Sequence, residues 1–218
     1  MEKHTHISTL FLDIGGVLLT NGWDRRMRRK AAEQFGFDYD EMNDRHHMTF
    51  SAYEEGKLTM DEYLDLAVFY KQRSFDKEAF REFIFSGSRP LPDMIELFKG
   101  ISKHNGLKVI AISNEGRELT IYRISHFGLR DLIQFFICSC FAHFRKPDKD
   151  IYRLALDVGQ VAPEQSVYVD DRLLHVEVAR SLGMNAIHHT DIETTKEKLS
   201  KYGLMVSAAT QRVSAQVR

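Results

Sequence analysis

Residues 7–19 read Ile-Ser-Thr-Leu-Phe-Leu-Asp-Ile-Gly-Gly-Val-Leu-Leu. An aliphatic, β-branched run of this kind fits a strand buried on both faces of a parallel sheet. The run meets a carboxylate at Asp13, and Gly15 and Gly16 follow at once. A carboxylate at the carboxyl end of a buried strand, beside backbone that bends freely, sits where open α/β sheets bind ligands. An aspartate there can also simply cap a turn. The later strand ends favour the ligand reading.

Working outward, residues 107–112 read as a strand that runs into Ser113-Asn114, and residues 132–138 as a strand followed by Lys146-Pro147. Residues 166–169 read as a strand closed by Asp170-Asp171, and residues 185–188 as a short last one. Helical patterns at 94–104, 116–127, 149–158, 173–182 and 192–202 alternate with them. That order predicts an α/β fold, a doubly wound parallel sheet. Between Gly22 and Phe85 nothing reads as a strand; helices are expected at 24–36, 38–48, 58–70 and 75–85. The domain expectation is a core of residues 1–19 and 88–205, a helical cap of 20–87, and a tail of 206–218.

The balance of 30 basic and 31 acidic residues leaves a net charge of −1 and no nucleic-acid footprint. No apolar stretch approaches the ~20 residues of a membrane span. The N-terminal residues lack the basic start and small-residue cleavage site of a signal peptide. A cytoplasmic protein, monomeric or homodimeric, is expected. Cys138 and Cys140 stand too close for an easy disulfide and are too few for structural zinc; they read as packing residues.

The Ser113 hydroxyl and the N–H groups of the following turn can grip a phosphoryl oxygen, though a serine there can equally be a helix cap. Pro147 holds Lys146 extended, so that its charge can point into the same crevice, with Arg145 the competing cation. Asp170 and Asp171 repel each other unless a cation sits between them and Asp13; a hard divalent ion with oxygen ligands suits that place. The basic run Arg25, Arg26, Arg28, Arg29, Lys30 reads first as a solvated helix face and second, where part of it overhangs the crevice, as a selector of an anionic or polyhydroxyl substrate.

Taken together, LFLDIGGVLLT, VIAISN, HFRKPDKDIY and VYVDDRLLHVEVARSLGM resemble the four motifs of the haloacid dehalogenase superfamily, in the branch with a small helical cap after the first strand. The cap stretch YEEGKLT, residues 53–59, is similar to one in that branch's phosphatases, sugar-phosphate phosphatases among them. The resemblance implies a Mg²⁺-dependent phosphatase acting on a small phosphorylated metabolite, with a sugar phosphate the first choice. By that analogy Asp13 is the nucleophile, and Ser113, Asn114, Lys146 and Gly16 hold the phosphoryl group. Asp13, Asp171 and the Gly15 carbonyl would ligate Mg²⁺, with Asp170 in its outer shell.

One departure matters. The family's phosphatases usually carry a second aspartate two residues after the nucleophile, as acid for the leaving group and base for water; here it is Gly15. Losing a positioned acid/base is worth roughly 10²–10⁴ in rate, about 3–5.5 kcal/mol. Gly15 therefore leads to two further expectations: a preference for good leaving groups such as anomeric phosphates, or a silent relative that binds a phosphorylated ligand without turnover. A dehalogenase ranks third, because halide displacement needs no metal and Asp170-Asp171 suits one. His175, where the family often has Asn, reads first as a helix-surface residue and second as a substitute for a contact behind the metal site, and the His46-His47 and His188-His189 pairs read as surface or packing groups.

Overall fold

The computed structural model describes residues 6–205. Strands β1 (Thr9–Leu12), β2 (Lys108–Ser113), β3 (Phe135–Cys138), β4 (Ser166–Asp170) and β5 (Asn185–His188) form one sheet in the order β3-β2-β1-β4-β5. Every neighbouring pair is parallel. The unbroken apolar strands follow from burial on both sides. Leu10, Leu12, Val109, Ala111, Val167 and Val169 face one core. Phe11, Ile110, Ile112 and Tyr168, the residues between them, face the other.

Among the described residues ten α-helices accompany the sheet: α1 (Arg25–Phe35), α2 (Tyr39–Glu54), α3 (Met60–Ala67), α4 (Lys77–Ser86), α5 (Pro92–Asn105), α6 (Arg117–His126), α7 (Ser139–Ala142), α8 (Lys149–Gly159), α9 (Leu173–Ser181) and α10 (Ile192–Ser200). On the first face α5 supplies Met94, Leu97 and Phe98, and α10 supplies Leu199. On the second, α8 supplies Ile151, Tyr152 and Ala155, and α9 supplies Val176 and Ala179. The sheet and its two covered faces are those the sequence predicts. The tail expected at 206–218 lies outside the described residues.

Helices α1–α4 bury a third apolar cluster, built on Trp23, Met42, Tyr63, Leu64, Phe80 and Ile84 and joined by Leu119 of α6. Local signals set their starts. Asp24 accepts from Met27 N and begins α1; Thr59 and Glu62 form a capping box at α3. Three elements differ from the sequence reading. Helix α2 runs on to Glu54, because Tyr53 is buried and stacks on Tyr63 with ring centroids 4.7 Å apart. Strand β3 starts at Phe135; Leu132 and Ile133 are buried through a turn that precedes it. The single turn α7 follows β3, with both cysteines buried as free thiols. Among the described residues, no helix is long and apolar enough to cross a membrane.

Tyr63 is the polar centre of the third cluster. Its hydroxyl accepts from Trp23 Nε1 at 2.8 Å and donates to His46 Nδ1 at 2.8 Å, which requires an unprotonated ring nitrogen. Burial, with the Arg28 and His47 charges adding to it, pushes His46 down from an ordinary 6.5 to about 3. The unfolded chain therefore binds the proton more readily, so the stabilisation is complete above 6.5 and drains away as pH falls toward 3. Thermal midpoints recorded from about pH 7 down to about pH 4 should fall more steeply in the wild type than in His46→Gln.

Candidate active site

The site starts from register. Leu12 pairs with Ala111 on one side and Val169 on the other, so β1, β2 and β4 end side by side at the point where strand order reverses. Asp13 stays on the ladder, its N–H donating to Val169 O at 2.9 Å, and its Oδ1 accepts from Ile14 N at 2.7 Å. The chain then turns away through Gly16 at φ 74°. A Cβ at Gly16 would overlap the Asp171 carboxylate, so glycine is required there on two counts.

Lys146 is the cation of the site and is only 1% exposed. Its Nζ lies 3.1 Å from Asp13 Oδ1, 2.7 Å from Asp170 Oδ2, 2.9 Å from Ile112 O and 3.2 Å from Tyr168 Oη. Burial alone would lower its pKa, but the Asp13 and Asp170 charges reverse this and hold it above the usual lysine value. Asn114 fixes its backbone: the amide oxygen accepts from Lys146 N and the amide nitrogen donates to Lys146 O, both at 2.8 Å. The Asn114 side chain, expected among the phosphate-binding groups, is thus engaged as a clamp. Ser113 is buried at the end of β2. Arg145, the rival cation, lines the same cavity but pairs with Glu54 of α2 at 2.6 Å.

The adjacent carboxylates have different surroundings. Asp170 is fully buried and accepts from Lys146, Tyr168 Oη, Arg172 N at 2.7 Å and His175 Nδ1 at 3.1 Å. Burial opposes its ionisation, but the Lys146 charge and the His175 bond outweigh burial and hold its pKa below the carboxylate range. His175 is therefore not the surface residue expected: the first turn of α9 delivers it, buried, onto Asp170. Asp171 Oδ2 accepts from Asn21 Nδ2 at 3.1 Å, while Oδ1 is buried with no partner. One oxygen each from Asp13, Asp170 and Asp171 lie within 4.8 Å of one another. Asp13 itself is pushed up, by burial first and then by the Asp170 and Asp171 charges, against the lowering effect of Lys146. Ionising all of these groups together calls for more positive charge than one ammonium.

A cavity of about 340 Å³ opens above Asp13, with Trp23, Arg28, Phe50, Glu54 and Glu115 in its wall. Arg28 departs from the solvated face read for its run. It is buried on the same side of α1 as Ala31 and Ala32, donating to Trp23 O at 3.0 Å and to Asn43 Oδ1 at 3.3 Å. Glu115 and Arg123 form a buried ion pair at 3.1 Å that the sequence reading passed over. Its one signal was a charged residue two positions past the end of a buried strand. Asn114→Ala should cost about 1–3 kcal/mol for each Lys146 backbone group left unpaired. Urea unfolding measures this, with α3 variants as a comparison.

The chain is similar to known proteins in sequence and in fold. The family model for haloacid dehalogenase-like hydrolases matches residues 7–183. Flavin mononucleotide hydrolase 1 of Arabidopsis thaliana is 28% identical over 163 residues, covering 75% of this chain and 65% of the relative. The chain thus spans less than two thirds of that protein. In fold it is similar to a haloacid dehalogenase family enzyme of Bacteroides thetaiotaomicron solved as a magnesium complex, with TM-score 0.72, 18% identity, and 84% and 93% of the two chains covered. A hydrolase-like structure from Porphyromonas gingivalis gives TM-score 0.72 at 18% identity, covering 89% and 97%.

Proposed function

Because this chain belongs to the haloacid dehalogenase-like hydrolases, we propose that it is a phosphatase that removes the phosphoryl group from a small metabolite by way of Asp13. The observation that carries the reading is the Asp13–Lys146 pair at 3.1 Å, set beside an Asp171 oxygen that is buried and unpaired. A nucleophilic carboxylate needs its charge balanced without being consumed, and an ammonium shared with Asp170 does that. The flavin mononucleotide hydrolase relative supports phosphate-ester chemistry.

In this reading Asp13 Oδ attacks phosphorus, the ester oxygen departs, and water then hydrolyses the aspartyl-phosphate to regenerate the carboxylate. Lys146 and Ser113 hold the phosphoryl oxygens, and the Gly16 turn lets backbone come close. The donor set fits Mg²⁺: hard oxygens, one of them orphaned, in a cluster short of positive charge. Asp13, Asp171 and the Gly15 carbonyl would hold the ion, with Asp170 behind them. When bound, it supplies neutralisation of the transferring group's charge. The cavity, at the small end for ligand sites, suits a sugar phosphate, with helices α1–α4 acting as a cap above it.

Gly15 favours a second reading, a relative that binds a phosphorylated ligand without turnover. Phosphate release from a panel of phosphomonoesters in Mg²⁺ separates the two; thermal stabilisation by the esters with no release would establish the second. Asp13→Asn should reduce release to background. Mg²⁺ at a hundredfold over its Kd should add about 2.7 kcal/mol of stability, read as a rise in melting temperature that Asp171→Asn loses.

A further inference from the structure

A side chain at position 15 would project toward Asn21 and Arg123. A Cβ built on Gly15 lies 2.9 Å from Asn21 Oδ1 and 3.9 Å from Arg123 Nη1. That guanidinium is held in place: Nε donates to Ser88 Oγ at 2.8 Å and Nη2 to Thr20 O at 3.2 Å. Its Nη1 already faces a carboxylate, Glu115 Oε2, at 3.1 Å. Arg123 thus receives from the end of β2 the carboxylate that β1 does not provide. Glu115 lines the same cavity as Asp13, and its position is set on two sides. Its N–H donates to Ser139 Oγ at 3.0 Å, and its Oε1 accepts from Gly116 N at 3.0 Å.

We propose that Glu115 is the catalytic acid and base of this site, the role left vacant by Gly15. The proposal rests on the phosphatase reading above. In the first step an Asp13 oxygen bonds to phosphorus, the bond from phosphorus to the ester oxygen breaks with its electron pair, and the Glu115 carboxyl proton passes to that oxygen. The products of this step are the alcohol, the aspartyl-phosphate and a Glu115 carboxylate. In the second step the carboxylate takes a proton from the attacking water, whose oxygen bonds to phosphorus. The bond to Asp13 returns its pair to the carboxylate, leaving inorganic phosphate and a protonated Glu115.

The surroundings suit both halves. Burial pushes Glu115 up, the Glu54 charge on α2 adds to this, and Arg123 on α6 opposes it, leaving the group at about 7. Tyr53 of α2 also faces it; burial and the Glu115 charge keep that phenol neutral. A group that titrates near neutral pH can give a proton and take one back. With Glu115 in place the enzyme does not need the good leaving group that Gly15 by itself calls for.

The test compares p-nitrophenyl phosphate, whose leaving group departs without a proton, with a primary-alkyl phosphate, whose alkoxide needs one. Wild type, Glu115→Gln, Glu115→Asp and Asp13→Asn are assayed in Mg²⁺. Glu115→Gln should lose roughly 10²-fold or more in kcat/KM on the alkyl ester, and only a few-fold on the aryl ester, with Glu115→Asp recovering part of the loss. Equal losses on both esters would show that the Glu115–Arg123 pair is only structural, and would overturn the proposal. The wild type gives an independent reading that needs no variant: a shallow dependence of rate on leaving-group pKa supports Glu115, and a steep one refutes it. If neither ester shows release that depends on Asp13, the phosphatase reading itself fails, and this proposal with it.

Discussion

One buried ammonium organises the sheet's carboxyl edge. Lys146 lies between Asp13 and Asp170 and is almost wholly removed from water. Taking such charges out of water costs several kcal/mol per ion, and the mutual attraction repays this only when the remaining hydrogen-bonding capacity is also filled. Much of the neighbourhood is explained by that requirement. Ile112 O and Tyr168 Oη also lie within hydrogen-bonding reach of the ammonium, Asn114 pins the backbone on both sides of it, and His175 bonds Asp170. The parallel register brings the strand ends together, and the ion cluster ties them to one another.

The four-helix segment is fastened to the same loop. Glu54 takes Arg145 at 2.6 Å, Glu55 O meets His143 Nδ1 at 2.7 Å, and Gly56, at φ 68°, lies against the Cys140 carbonyl where a side chain would not fit. The stretch 53–59 therefore acts as a joint between the segment and the loop carrying Lys146. The residue next to the site's cation is the one that holds the helices above the cavity. A change in how those helices sit would reach Lys146 through a single peptide unit.

The fold was legible because continuous apolar runs of four to six residues have few alternatives once helices alternate with them. Asp13, Lys146, Asp170 and Asp171 were legible because each stands directly at a strand end or beside a proline, where position in sequence predicts position in space. What escaped was set by packing. His175 and Arg28 sit on helices whose sequences read as surface, and only the docking of α9 and α1 turns them inward. Helix α2 outran its predicted end because Tyr53 found Tyr63, a contact ten residues distant in sequence. Glu115 was missed for a subtler reason: its significance depends on Arg123 and on the absence of a side chain at Gly15, and only the fold brings those three together.

The adjacent carboxylates show how one dipeptide can do two jobs. Neighbours on an extended chain point to opposite sides, so Asp170 on β4 and Asp171 just past it meet different environments. Asp170 meets the ammonium, a phenol, an imidazole and a backbone N–H, and its charge is spent before any ligand arrives. It orders Lys146 and, through Lys146, Asp13. Among the described residues the Asp171 side chain accepts from the Asn21 amide alone, and its other oxygen, like Glu118 Oε2, is buried without a partner. A buried carboxylate oxygen left in that state costs free energy until a donor or a cation meets it. Under the proposed function, a cation entering on the Asp171 side would offset that cost, while Asp170 keeps Lys146 ordered behind it.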